Sequence, residues 1–135
     1  MANTTKLEIA TPEGTAFSAD VEMVTLPGVE GQMGILPQHV RLITQLVPGE
    51  MIVRRDGQDE FLAVGEGLVE VTGERVAIVT SMAIAADAID EAAVEEARQR
   101  AAARLKEKIS DEEVASVNAS LARSLAQLQV KRRRR

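Results

Sequence analysis

His39 is the only histidine in the sequence and the one side chain that could serve as a general base near neutral pH. A nucleophilic triad would also need a serine and a carboxylate, and Ser18 or Ser81 with Asp20 are the available candidates. No nucleophile elbow surrounds either serine. A lone histidine after a proline-containing loop is more typical of a structural hydrogen bond or an interface contact. The sequence therefore predicts no catalytic residues.

The composition excludes most metal and redox chemistry. The 135-residue chain has no cysteine, which rules out disulfides, thiolate zinc sites and iron–sulfur clusters. A single histidine also rules out metal sites that need several histidines. Carboxylate pairs such as Asp59-Glu60 and Glu112-Glu113 are typical of solvated turns and helix caps. We expect no metal site.

Three evenly spaced glycines, G-x-x-G-x-x-G, span residues 28–34 and suggest a phosphate-binding loop. A P-loop would continue with Lys and Ser or Thr, whereas Ile-Leu-Pro follows here. The dinucleotide fingerprint needs its first two glycines two positions apart. Residues 65–67, Gly-Glu-Gly, have that spacing, but Glu70 stands where the third glycine is required. Both segments are predicted to form tight turns or bulges.

The charge of −5 is unevenly distributed along the chain. Residues 1–86 carry a net −7, residues 87–130 carry −3, and the last five residues, 131–135, carry +5. Nucleic-acid affinity grows with the number of phosphates neutralised, and the two phenylalanines are too few to stack bases, so we expect no nucleic-acid partner. Segment 131–135 is predicted to be a solvated, frayed end or a contact for an acidic partner.

No apolar run reaches the roughly 18 residues that a membrane span needs. Residues 1–8 also lack the apolar core of a secretory signal. The sequence therefore predicts a soluble cytoplasmic protein.

Residues 6–84 consist of short β-branched-rich runs separated by Pro-Gly and Asp-Gly turn signals. The clearest hairpin joins residues 51–54 to residues 61–64 through Asp56-Gly57. A second hairpin joins residues 68–71 to residues 76–79. This spacing predicts a small antiparallel β-sandwich or barrel with an aliphatic core.

Helical periodicity replaces the strand pattern after Ala83. Asp90 is a predicted N-cap, and Ser110 begins a capping box that starts a second helix. The apolar positions of the two helices are Val94, Ala97, Ala101 and Leu105, then Val114, Val117, Leu121, Leu125 and Leu128. An alanine stripe buries little apolar surface, so the hairpin should dock weakly. The predicted fold class is α+β: an N-terminal antiparallel β-sandwich or barrel followed by a C-terminal two-helix antiparallel hairpin.

Residues 27–44, PGVEGQMGILPQHVRLIT, resemble the signature P-G-x-x-G-x-x-G-I-L-P-x-H-x-x-L-I-T of the epsilon subunit of F-type ATP synthases. The likeness extends over the whole chain, since residues 65–71 and 76–83 resemble later strands of that family. Residues 87–108 and 110–130 stand where the family has its two C-terminal helices. The resemblance implies a β-sandwich domain at 1–86 and a regulatory helical hairpin with a basic tail at 87–135.

The resemblance implies a non-catalytic subunit of the central stalk, which couples the gamma subunit to the membrane rotor ring during proton-driven ATP synthesis. It would lie peripherally on the cytoplasmic face of the bacterial inner membrane and associate with the membrane only through the complex. Implied rotor-ring contacts are Val29, Glu30, Gly31, Gln32, Met33 and His39. Implied gamma-subunit contacts are Val40, Arg41, Leu42, Ile43 and Thr44.

The hairpin of this family either folds onto the sandwich or extends along gamma toward the alpha/beta catalytic head, where it inhibits hydrolysis. Arg123, Lys131 and Arg132 would suit an acidic loop of a catalytic subunit. Two alternatives from other classes are a β-sandwich hydrolase that uses His39 and a free-standing nucleotide-sensing or RNA-binding module.

Some bacterial members bind ATP through an Ile/Leu-Asp-x-x-Arg-Ala motif between the hairpin helices. Ile89 and Asp90 match it, but Ala93 replaces the arginine and Val94 the alanine. The loss removes a guanidinium fork suited to phosphate, although Arg100 and Arg123 lie in the same hairpin. The residues of a degenerate nucleotide site would be Ile89, Asp90, Arg100 and Arg123. No cofactor is therefore expected.

We expect isothermal titration calorimetry of the purified chain with ATP to give no measurable heat, or a Kd above about 1 mM, because the phosphate-binding arginine is absent. Ala93→Arg, which restores the arginine of the motif, is the matched comparison. Micromolar affinity of the unaltered chain would contradict the prediction.

Overall fold

The computed structural model describes residues 3–134, in which ten strands precede a 3-10 helix and two α-helices. The strands are β1 (Thr5–Thr11), β2 (Gly14–Val21), β3 (Met23–Gly28), β4 (Gly31–Ile35), β5 (Leu42–Leu46), β6 (Gly49–Arg55), β7 (Gln58–Val64), β8 (Gly67–Val71), β9 (Arg75–Thr80) and β10 (Ala83–Ala85). The 3-10 helix covers Ala86–Ala88, and the α-helices are α1 (Glu91–Arg104) and α2 (Asp111–Arg134).

The strands form one sheet in the order β10-β7-β6-β3-β5-β8-β9-β1-β2, with β4 paired to β3, and it folds into a nearly closed sandwich. The predicted fold class is confirmed. One detail of it was wrong, because β1 pairs with β9 in parallel, from Lys6 opposite Arg75 to Ala10 opposite Val79. No short connection joins these two strands, so turn signals say nothing about their relative direction.

Strict alternation of side chains places an aliphatic core between the sheet layers. In β1, Leu7 and Ile9 are fully buried while Lys6 is exposed, as a strand with one solvated face requires. The other core residues are aliphatic or methionine, and Phe17 packs only at the edge of the cluster. The sandwich therefore has an aromatic-free centre, as the composition predicted.

Local turn chemistry agrees with the predicted hairpins. Asp56 and Gly57 connect β6 to β7 with φ angles of 55° and 75°, the left-handed pair that a type I′ turn needs. The β8–β9 hairpin closes with Val71 opposite Val76. At Gly67 a Cβ atom would collide with the carbonyl oxygen of Val79, so only glycine allows this close strand pairing.

The helix starts follow the predicted caps. The Asp90 carboxylate accepts a hydrogen bond from the Ala93 backbone N–H at 3.1 Å, and the Ser110 hydroxyl accepts one from Glu113 at 3.2 Å. The first helix is shorter than the segment 87–108 implied by the resemblance. It ends at Arg104, because the next turn tightens into hydrogen bonds between residues three apart.

The basic tail differs from its prediction as a frayed end. Helix α2 continues through Arg134, and the basic residues occupy its last turn, where their positive charges interact favourably with the negative end of the helix dipole. Residue 135 lies outside the described residues. The stripe expected on α2 also shifts, since Leu125 is 48% exposed whereas Leu128 and Val130 are buried.

Candidate interaction surfaces

A two-residue turn forms the tip of the β3–β4 hairpin. Gly28 pairs with Gly31, so the turn consists of Val29 and Glu30 alone, and residues 31–33 belong to β4. Within residues 28–34, which were predicted to form a tight turn or bulge, the turn is thus limited to two residues and the others belong to β3 and β4. Val29 is 53% exposed and Glu30 is also exposed, whereas Met33 packs partly against the core. The tip presents one apolar and one acidic side chain to solvent.

His39 lies beyond the opposite end of β4. The strand runs from Gly31 at the turn to Ile35, a distance of about 13 Å at the usual rise per residue. The His39 Nδ1 donates to the carbonyl oxygen of its neighbour Val40 at 2.8 Å. The structure therefore does not bring His39 together with the Val29-Glu30 turn, although the resemblance grouped them.

The structure shows no catalytic arrangement around His39. Its ring bonds to the main chain, the Ser81 hydroxyl oxygen is buried, and Ser18 and Asp20 lie on exposed positions of β2. Across residues 3–134 there is no cluster of three or more histidine, aspartate or glutamate side chains that could hold a metal ion. In the same range no helix is long and apolar enough to cross a membrane.

The outer face of β5, β8 and β9 carries a stripe of exposed aliphatic side chains. Ile43 is 71% exposed, Leu68 is 56% exposed, and Val79 on the neighbouring strand is 64% exposed. The register places Leu68 directly opposite Val79, and Val40, 76% exposed, precedes β5. We name these four residues the apolar stripe. Ile43 lies diagonally across from Leu68, with the polar residues Gln45 and Glu70 opposite them. Exposed aliphatic side chains grouped on one face of a small domain typically mark a protein interface.

The predicted segment 40–44 contributes only part of this stripe. Val40, Arg41 and Ile43 face outward, whereas Leu42 and Thr44 are half-buried and Leu42 packs against the core. Sequence reasoning missed Leu68 and Val79. The signal was available, because both alternate with inward-facing residues in strands whose other outward positions are mostly polar.

The helical hairpin docks onto the sandwich through the second half of α2. Its buried residues are Ser124, Ala126, Leu128 and Val130, and across residues 3–134 no residue of α1 is fully buried. Val130 forms a small apolar cluster with Ala63 of β7 and Ile89, flanked by Phe61. The weak packing expected of the alanine-lined helix is thus localised to α1.

Basic side chains of α2 bind acceptors on the sandwich and the chain leading to α1. Arg123 donates to Glu66 at 2.9 Å, and Lys131 donates to the carbonyl oxygen of Ala86 at 3.3 Å. Arg132 donates to the carboxylates of two residues of α1, Glu91 at 3.0 Å and Glu95 at 3.3 Å. The three residues expected to meet an acidic partner therefore meet acceptors within the chain.

Arg134 makes the most extensive of these contacts. Its guanidinium donates to both carboxylate oxygens of Glu50, at 2.9 and 2.8 Å, and lies 3.9 Å from the centroid of the Phe61 ring. The Glu50 side chain is only 8% exposed. Such two-point geometry is the strongest form of an arginine–carboxylate pair.

The residues of the degenerate nucleotide site bond to separate partners. Asp90 caps α1, and Ile89 is buried in the apolar cluster. Arg100 pairs with Glu96 on its own helix at 3.1 Å, while Arg123 binds Glu66 of the sandwich. No phosphate-binding set is assembled by these contacts.

The electrostatics of the docking contacts favour ionised carboxylates. Burial alone would raise the pKa of Glu66, but the polar groups around it, among them the Ser81 hydroxyl and the charged Arg123 guanidinium, hold it below the ordinary 4.5. The pKa of Glu95 is lowered chiefly by its hydrogen bonds from Arg98, with a smaller contribution from Arg132. An ionised Glu66 therefore favours docking of the hairpin on the sandwich, whereas an ionised Glu95 favours contact between the two helices.

Family models match nearly the whole chain. The model described as "ATP synthase, Delta/Epsilon chain, beta-sandwich domain" matches residues 4–86, and the "long alpha-helix domain" of the same chain matches residues 87–132. The "ATP synthase epsilon chain" of Herpetosiphon aurantiacus is 40% identical over 130 residues, 96% of each chain. That of Bacillus subtilis is 40% identical over 111 residues, 82% of this chain and 84% of its own.

Solved structures show the same fold. A chain of the Euglena gracilis mitochondrial ATP synthase, in a structure of OSCP, F1 and c-ring, aligns with a TM-score of 0.76 at 22% identity, covering 94% of this chain and 80% of that one. A chain from the Tetrahymena thermophila mitochondrial ATP synthase central stalk and c-ring aligns with a TM-score of 0.64 at 13% identity, covering 94% and 96%.

We expect Arg123→Gln to raise the pKa of Glu66 toward 4.5, since it removes a hydrogen bond and a positive charge. The carboxyl ¹³C shift of Glu66, followed by NMR against pH, measures this. A carboxyl with a lowered folded pKa stabilises above its unfolded pKa, and that contribution disappears as the pH falls through the folded pKa. Arg100→Gln is the control, and an unchanged Glu66 titration in Arg123→Gln would contradict the assignment.

Proposed function

The chain belongs to the ATP synthase delta/epsilon family, and from this premise we propose that it is a non-catalytic central-stalk subunit of a rotary ATP synthase. The observation that carries the proposal is the match of both family domains in order across residues 4–132. Residues 1–86 would form the coupling domain, and residues 87–135 the regulatory hairpin. The complex would place the subunit peripherally on the cytoplasmic face of the bacterial inner membrane.

The apolar stripe would bind the gamma subunit. Three of its side chains lie on the neighbouring strands β5, β8 and β9, and Val40 directly precedes β5, so a single partner surface would cover them together. Burial of such aliphatic groups is favourable by about 25 cal/mol for each Å² removed from water. Arg41 stands beside the stripe and adds a polar rim. His39 precedes the stripe directly, so we assign it to the gamma side.

The Val29-Glu30 turn, with exposed Gly31 and Gln32 behind it, would contact polar loops of the rotor ring. Met33 would support the turn from within, because it packs partly against the core. A two-residue turn anchored by strand pairing on both sides is rigid, which suits a contact that transmits torque. The Val29-Glu30 turn and the proposed gamma-binding surface lie at opposite ends of β4. The sandwich would therefore be able to bind the rotor ring and the gamma subunit at the same time.

The hairpin would regulate hydrolysis by leaving the sandwich. In the docked form Arg123, Lys131 and Arg132 bind internal acceptors. Only an extended hairpin frees these cations for an acidic loop of the alpha/beta head. Binding of ATP by Ile89, Asp90, Arg100 and Arg123 would be weak, because the motif lacks its arginine.

We expect the tagged chain to co-purify with a membrane-extractable ATPase in one copy per complex, measured by native mass spectrometry. Ile43→Asp should reduce its retention at least tenfold, because a charge would be buried in the apolar stripe. Thr15→Asp on the exposed face of β2 is the control. Absence of ATPase from the purified material would contradict the proposed function.

Replacement of Val29 and Glu30 by two tryptophans should reduce ATP-driven proton pumping in inverted membrane vesicles by more than half while hydrolysis continues. Bulky rings at the tip would separate the turn from the ring. Asp56→Asn is the control, since it keeps the other two-residue turn in its type I′ conformation. Undiminished pumping in the ditryptophan variant would exclude the ring contact.

A further inference from the structure

The attachment of the hairpin to the sandwich is confined to one end of α2. Across residues 3–134, all fully buried hairpin positions of the two helices fall between Ser124 and Val130. At the other end, Arg104 pairs with Glu107 and Glu113, which join the helices to each other. The contacts at the inter-helix turn therefore hold the two helices together and contribute little to the attachment of the hairpin to the sandwich.

The terminal turn of α2 meets a carboxylate that is poorly solvated. Glu50, on β6, is 8% exposed and accepts both hydrogen bonds from Arg134, with Arg133 at 3.7 Å. The ring of Phe61, on the adjacent strand β7, covers one face of the Arg134 guanidinium. Val130, one turn earlier, is fully buried. Residues 130–134 thus combine an ion pair, a cation–π contact and a buried apolar side chain.

We propose that Glu50 and the last turn of α2 form a clamp that sets the fraction of molecules with a docked hairpin. Removal of Arg134 leaves the poorly solvated Glu50 carboxylate with only the more distant Arg133 as a partner, which costs more than the loss of an exposed pair. The other attachments of the hairpin to the sandwich are the Arg123–Glu66 bond and the buried residues between Ser124 and Val130. Release of the clamp therefore shifts the population toward the undocked hairpin.

Other hydrogen bonds connect the last turn of α2 to the 3-10 helix and to α1. Lys131 bonds to the 3-10 helix at Ala86, and Arg132 bonds to Glu91 and Glu95 of α1. The side chains of Arg132, Glu91 and Glu95 are more exposed than that of Glu50, so solvent screens their interactions more strongly. The clamp is a property of the isolated chain, and it requires neither a partner subunit nor a nucleotide.

Pulsed electron paramagnetic resonance on the full chain tests the clamp. The sequence contains no cysteine, so Thr15→Cys on β2 and Ser116→Cys on α2 give two specific, exposed nitroxide sites. The docked hairpin should give one narrow distance. Glu50→Gln and Arg134→Gln should each increase the ratio of broad, undocked to narrow, docked populations at least about tenfold.

Glu96→Gln is the matched control, since it makes the same chemical change in an exposed pair with Arg100, away from the sandwich. If Glu50 and Arg134 act together, the double variant Glu50→Gln/Arg134→Gln should be nearly as undocked as either single variant. Equal populations in Glu50→Gln and Glu96→Gln, or fully additive effects of the two clamp substitutions, would overturn the proposal.

Amide exchange in β1 and β9 checks that the sandwich remains folded. If Glu50→Gln unfolds the sandwich, the docked populations of Arg134→Gln and the wild-type chain are compared instead. Arg134 lies in the last turn of α2, outside the sandwich, so its substitution tests the clamp alone. Failure of the clamp would leave the co-purification result unaffected, so the two proposals fail separately.

Discussion

The burial of alternate side chains in the aliphatic core decides which side chains of the sandwich reach solvent. Because side chains alternate, Val69 and Ile78 point inward and thereby turn Leu68 and Val79 outward. A slip of one residue in the β8–β9 register would expose the core and bury this stripe. Gly67, with no room for a side chain, helps to hold that register. The interaction surface is thus a by-product of core packing.

The hairpin combines strong internal order with localised docking. Alanine-rich α1 has small side chains, and across the described residues 3–134 its partly buried positions pack mainly on α2. Helix α2 then carries the larger apolar residues and the arginines at the end nearest the sandwich. An element attached at one end moves as a rigid body when that end is freed, which is the usual behaviour of a conformational switch.

Features that depend on neighbouring residues could be predicted from the sequence, whereas those that depend on the fold could not. The Asp56-Gly57 turn and the caps at Asp90 and Ser110 follow from short-range chemistry, and the structure confirms them. The pairing of Arg134 with Glu50 joins positions 84 residues apart, and no local pattern encodes it. The position of His39 likewise depends on the direction of β4, which only the strand pairing reveals.

The parallel pairing of β1 with β9 has a consequence for biosynthesis. Lys6 is translated 69 positions before its partner Arg75. At about 5–20 residues per second, β1 waits several seconds with an unpaired edge. Such long-range pairing also slows folding. The basic and acidic side chains of β1, Lys6 and Glu8, keep that waiting edge soluble and discourage its association with another nascent chain.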